Sequence, residues 1–148
     1  MRKQYLDAYR STLETDVANA SPHRLILMLF DGALQAIRQA RIHMERNSIA
    51  EKGALISKAI SIVEEGLHAA LDHEVGGELS ANLGALYDYC ARRLFEANLK
   101  NDTQMLDEVA QLLAGLREAW ASIGTVEAIQ ASPPDEGKPR QGLSYGSV

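Results

Sequence analysis

The sequence predicts an all-α fold, an antiparallel four-helix bundle running up-down-up-down. Three observations carry that prediction. Apolar residues recur at steps of three and four in four successive segments, short breakers separate those segments, and no segment alternates with a period of two. The composition agrees: 46% of the 148 residues are hydrophobic but only 5% are aromatic. The apolar content is mainly Leu, Ile and Ala, residues that helices tolerate well.

The first helix opens at Ser21-Pro22, a hydroxyl N-cap followed by Pro at the first helical position. Its seam is Ile26, Phe30, Ala33, Ile37, Ala40 and Met44, and it runs to about Arg46. Steps of four, three, four, three, four form a heptad-like stripe. Ser48, with Glu51 three residues on, has the form of a capping box for the second helix. That helix carries Ile49, Ile56, Ile60, Val63 and Leu67 and ends near Asp72. Gly76-Gly77 forms the next break. The third helix carries Leu79, Leu83, Leu86, Cys90, Leu94 and Ala97. Asn101, with Gln104 following, is placed to cap the fourth. Leu106, Val109, Leu113, Leu116, Trp120 and Ile123 make its stripe, and Gly124 is expected to stop it. Helices of roughly 20 to 25 residues span about 30 to 38 Å. Connections this short force sequential neighbours to run antiparallel.

The bundle thus occupies residues 21–124, between two ends of different character. In residues 1–20, Tyr5, Tyr9 and Leu13 recur every four residues and form an apolar stripe that must dock on the bundle or on a partner. Residues 125–148 are rich in Pro, Gly and Ser, with few large apolar side chains, and are expected to be a disordered tail.

Charge and cysteine content exclude several function classes. Twenty acidic against 15 basic residues give a formal charge of −5. Without a basic block there is no footprint for nucleic acid. A single cysteine, Cys90, allows no internal disulfide and suits a reducing cytosol. The first twenty residues lack the apolar run of a signal peptide. The longest fully apolar run, Leu25 to Phe30, falls far short of the roughly 20 residues needed to span a bilayer. A cytosolic protein without membrane insertion is expected.

Glu65 and His68 have the E-x-x-H spacing of di-iron bundles, but such a site needs a second copy on another helix. His23, His43 and His73 have no acid three positions earlier. No metal site and no cofactor are therefore expected. A phosphotransfer role for His68 or His43 is the alternative, yet Gly66-Leu67-His68-Ala69-Ala70-Leu71-Asp72 offers no neighbouring base. Cys90 sits on the core stripe, where burial raises a thiol pKa. Gly76-Gly77 has no nearby Lys to make a phosphate loop, and Arg92-Arg93 reads as a solvated face or an intramolecular ion pair. No catalytic residue emerges.

What exceeds the needs of a bundle is apolar surface. Leu25 to Phe30 places large apolar groups around nearly two turns of helix, where a core stripe needs about half of them. The second helix has an extra row, Leu55, Ala59 and Ile62, and the fourth adds Met105 and Leu112. Either neighbouring helices cover these rows in a thick core, or they line a groove for amphipathic helices of a partner, with Met28 and Met105 supplying adaptable packing.

The stretch Ala20-Ser21-Pro22-His23-Arg24-Leu25-Ile26-Leu27-Met28-Leu29-Phe30-Asp31-Gly32-Ala33 closely resembles the signature of the flagellar secretion chaperone FliS family. Lys52-Gly53, Ile56-Ser57-Lys58-Ala59-Ile60, Gly76-Gly77-Glu78 and Asn82-Leu83 extend the match. Leu86-Tyr87-Asp88-Tyr89, Arg92-Arg93-Leu94, Ala97-Asn98 and Leu116-Arg117-Glu118-Ala119-Trp120 complete it, over about residues 5 to 123. Phe30 stands where the family often has Tyr, and Cys90 where it often has Met. Both exchanges are apolar.

The resemblance implies a cytosolic chaperone, not an enzyme, that binds the C-terminal segment of newly made flagellin. It would prevent premature polymerisation and present the client to the flagellar type III export gate. It also implies that the segment around Tyr5 and Tyr9 forms or covers the client site. The residues expected to bind the client are Tyr5, Tyr9, Leu25, Met28, Leu29, Leu55, Ile62 and Tyr87. Free protein with these rows exposed could form a homodimer.

Overall fold

The computed structural model describes the backbone of residues 20–131 and the side chains of residues 20–123. Tyr5, Tyr9 and Leu13, and the part of the expected tail beyond residue 131, lie outside the described residues. Among the described residues four helices follow one another: α1 (Pro22–Glu45), α2 (Ile49–Ser61), α3 (His73–Lys100) and α4 (Thr103–Ala131). A π-helical stretch, Ile62–His68, prolongs α2 without a break. No strand occurs among the described residues.

The helices form a ring in which α1 meets α2, α2 meets α3, α3 meets α4 and α4 returns to α1. Side-chain pairs fix the antiparallel directions. Arg41 near the end of α1 reaches Asp107 near the start of α4 (2.8 Å), whereas Asp31 near the start of α1 meets Arg117 further along α4 (2.6 Å). Lys52 of α2 donates to the Asn98 carbonyl of α3 at 2.7 Å. Its buried ammonium thereby satisfies a carbonyl at the C-terminal end of α3, the end of a helix that favours a cation.

The core is the expected helical stripe in most of its length. Phe30, Ala33, Ile37, Ala40 and Met44 of α1 are buried, as are Cys90, Leu94 and Ala97 of α3 and Leu106, Val109 and Leu113 of α4. Burying each large side chain contributes about 1.5–3 kcal/mol before the cost of ordering it. In α2 the seam differs from the expected one. Ile56 is buried, but Ile49 is 63% exposed, and Ala59, expected in the outer row, is fully enclosed. Buried positions then fall at Ala59, Val63 and Leu67, steps of four that suit the wider turn of the π segment.

The helix ends correct several local expectations. Ser21 caps α1 as expected, its hydroxyl accepting from the Arg24 N–H at 3.1 Å. Ser48 precedes α2, but its side chain makes no capping bond, so the capping box does not form. The αL residue Asn47 makes that turn instead, and the Ser48 N–H donates back to the His43 carbonyl. Asn101 is not the cap of α4. It ends α3 in the left-handed region, φ 54° and ψ 48°, while Asp102 accepts from the N–H groups of Gln104 and Met105.

Asp72, expected at the end of the second helix, caps α3 by accepting from Glu74 and Val75. The expected break at Gly76-Gly77 appears as a kink inside α3. Gly77 adopts φ 54° and ψ −123°, a conformation that a Cβ would strain. Ser80 donates to the Asp72 carbonyl across the kink at 3.0 Å. Gly124 does not stop α4, which continues to Ala131, because one Gly inside a helix costs only about 1 kcal/mol.

Candidate functional site

The apolar stripes do not all end where their neighbours end. In the α1–α4 pairing, Asp31 opposes Arg117 and His23 opposes Trp120. Beyond Ile123, α4 has outrun the start of α1 at Pro22. At the same end of the bundle, α2 gives way to a turn after His68 while α3 begins at His73. The stripes there line a groove instead of a core. It has a volume of about 280 Å³. Ile26 and Phe30 come from α1, Leu67, Ala70 and Leu71 from the end of the π segment and its turn, and Leu79, Leu83 and Tyr87 from α3. Leu116, Ala119, Trp120 and Ile123 come from α4.

Burial sorts these residues into floor and rim. Phe30 (2% exposed), Leu67 and Tyr87 form the floor; Leu79 (65% exposed) and Ile123 (49% exposed) stand at the rim. Burial pushes the Tyr87 phenol up to about 12, so it stays neutral. A reciprocal clasp holds one wall. The Trp120 Nε1–H donates to the His23 carbonyl at 3.0 Å, and the His23 Nε2–H donates to the Trp120 carbonyl at 2.7 Å. Their rings stack at 5.1 Å with 15° between planes. Backbone polar groups near an open apolar mouth are thereby satisfied by side chains.

Of the described residues expected to bind a client, only Tyr87 lines this groove. Leu25, Met28, Leu29, Leu55 and Ile62 are all half-buried and lie elsewhere. Leu29, Leu55 and Ile62 lean on the core, whereas Leu25 and Met28 are not part of it. Leu29 lies against Gly66, where a Cβ would come 2.9 Å from its Cδ2, so absence of a side chain lets α1 and α2 approach. The outer row on α1 and α2 is therefore part packing surface and part open apolar strip. By periodicity Leu79, Leu83, Leu116, Trp120 and Ile123 belong to the core stripes of their helices. The signal that marks them as groove residues is a stripe running past the end of its partner helix.

The remaining candidates take quiet positions. Cys90 is fully buried, and burial pushes its thiol up to about 11, which keeps it protonated. Arg93 pairs with Glu96 and Glu108 and lies 5.9 Å from the Tyr89 ring centroid; Tyr89 also donates to Glu108. Those bonds, Tyr89 first, hold the Glu108 carboxyl below its usual range. His68 pairs with Glu64, not with Glu65, and also with Asp88. No described helix is long and apolar enough to cross a membrane.

The family model described as "Flagellar protein FliS" matches residues 5–127. The chain belongs to the FliS family. A flagellar secretion chaperone FliS from Salmonella typhimurium is 49% identical over 121 residues, 82% of this chain and 90% of that protein. The flagellar secretion chaperone FliSB of Pseudomonas aeruginosa is 50% identical over 121 residues, covering 82% and 93%. A flagellar secretion chaperone FliS of Bacillus subtilis is 39% identical over 127 residues, covering 86% and 90%. The FliS match takes in the N-terminal segment with Tyr5 and Tyr9 and extends past Gly124.

Proposed function

We propose that this FliS-family protein is a cytosolic export chaperone that binds the C-terminal segment of flagellin. Binding keeps the client from polymerising and aids its delivery to the flagellar type III export apparatus. The observation that carries the reading is the combination of an open apolar groove at one bundle end with a half-buried apolar strip along α1. A client that folds into amphipathic helices as it binds can use both, one helix seated on Tyr87 and Phe30 and another along Leu25 and Met28. The segment around Tyr5 and Tyr9 forms or covers the same client site. The protein acts by covering surface and catalyses nothing. Export-gate contact belongs to the loaded complex, and a free homodimer would use the same apolar rows that the client covers.

Trp120, the only tryptophan in the sequence, lies in the groove wall and reports its occupancy. Titration with a peptide from the C-terminal end of the cognate flagellin should shift its fluorescence saturably. Leu79→Glu puts a charge at the rim, on a side chain already 65% exposed, so the fold survives. That variant should lose the fluorescence response and flagellin secretion together. Wild-type affinity in a folded Leu79→Glu protein would sink the groove assignment.

A further inference from the structure

Three ligand-type side chains meet outside the groove, at the seam between the π segment and α3. His68 Nδ1 lies 3.1 Å from Glu64 Oε1 and 3.3 Å from Asp88 Oδ1. One ligand atom from each residue falls within 4.8 Å of the others. Sequence spacing pointed to Glu65, three residues before His68. The fold instead pairs His68 with the acid four residues before it and brings the third group from a different helix.

The imidazole is held in this orientation. Its ring meets Tyr87 at 6.3 Å between centroids, tilted by 49°. Its Nε2 edge lies over Gly84, where a Cβ would come within 3.1 Å. Nδ1 is therefore the nitrogen presented to the carboxylates. Neither Glu64 nor Asp88 has a Lys or Arg partner among the described residues, so two negative charges converge on one imidazole. The three side chains are 28%, 36% and 48% exposed for His68, Glu64 and Asp88, open enough for an ion to arrive and keep a water.

We propose that Glu64, His68 and Asp88 bind one divalent transition-metal ion of the zinc class. Tetrahedral zinc bonds of about 2.0–2.1 Å put neighbouring ligand atoms about 3.3 Å apart. The two nitrogen–oxygen separations here are already close to that edge, so an ion enters with little side-chain movement. Two carboxylates and a neutral imidazole cancel the charge of a dication. The imidazole favours zinc over calcium or magnesium, which prefer all-oxygen sites. Water fills the fourth position. The ion would tie the end of α2 to α3, one residue from the Tyr87 floor of the groove.

The test is calorimetric titration of the tag-free, full-length chain with zinc chloride, backed by competition with a chromophoric chelator. One ion should bind per chain, and zinc should raise the unfolding midpoint. His68→Gln and Asp88→Asn should each weaken binding by at least about tenfold, with the midpoint shift lost, while Glu65→Gln behaves as wild type. If His68→Gln fails to fold, Asp88→Asn carries the test. Absence of stoichiometric binding would reduce the trio to an ion-paired histidine and overturn the proposal. Binding that survives both substitutions would be adventitious, on the other histidines, and would overturn it equally.

Discussion

Ile26 and Phe30 stand one turn apart on the same stripe of α1, and periodicity alone gives them the same role. Their surroundings do not. Phe30 is 2% exposed in the floor of the groove, whereas Ile26 is half-buried in its wall. Phe30→Ala removes a fully buried ring and should cost about 3–5 kcal/mol. Ile26→Ala removes three carbons, worth ~2.4 kcal/mol at ~0.8 each if fully buried. About half of that applies to a half-buried wall residue, and no closed cavity remains, so ~1.2 kcal/mol is expected. Urea unfolding of the full chain, followed by helical circular dichroism, reads both as midpoint shifts at unchanged slope. Ile26→Ala should also weaken client binding. A loss for Ile26→Ala as large as for Phe30→Ala would mean that the groove is closed core in solution, and the reasoning from burial would fail.

Asp102→Ala should cost about 1 kcal/mol because it removes the acceptor for two N–H groups of α4, while Ser48→Ala, with no capping bond to lose, should leave the urea midpoint nearly unchanged. Glu108 has its carboxyl pKa lowered in the folded state from an ordinary 4.5, so its contribution is complete above that value and lost as pH falls through the folded pKa. Acid unfolding curves of wild type and Glu108→Gln should accordingly converge below pH 4.5, the variant being less stable near neutrality and flatter across the acid range. Tyr9→Ala should weaken flagellin-peptide binding by about 1 kcal/mol or more if Tyr9 is a wall of the site, with the melting temperature of free protein unmoved; tighter binding would identify a lid, and a collapsed melting temperature would make the segment part of the core.

The bundle was legible in the sequence because its seams are long and regular. Phe30 through Met44 keeps the heptad rhythm, and Ser21-Pro22 announces where it starts. Local ends were less legible where neighbouring residues compete for one role. Asn101 and Asp102 can both cap a helix, and the left-handed turn at Asn101 decides which one does. The seam of α2 runs through Ala59, a small residue that periodicity placed one row out, and His68 pairs with Glu64, four residues back, instead of Glu65. The groove was hidden for a different reason. Periodicity tells which face of a helix points to the bundle axis, but not whether another helix stands opposite at that level. Leu79 and Ile123 continue their stripes past the ends of their neighbours, and only the stagger of the helices leaves them exposed.

Isothermal titration of the protein with a peptide covering the C-terminal end of its flagellin, repeated at several temperatures, tests the central claim most directly. Helix-in-groove binding buries apolar surface and orders the client, so the heat-capacity change should be clearly negative. Circular dichroism of the mixture should exceed the sum of the free components in helical signal. No binding, or binding without any gain in helicity, would contradict the account.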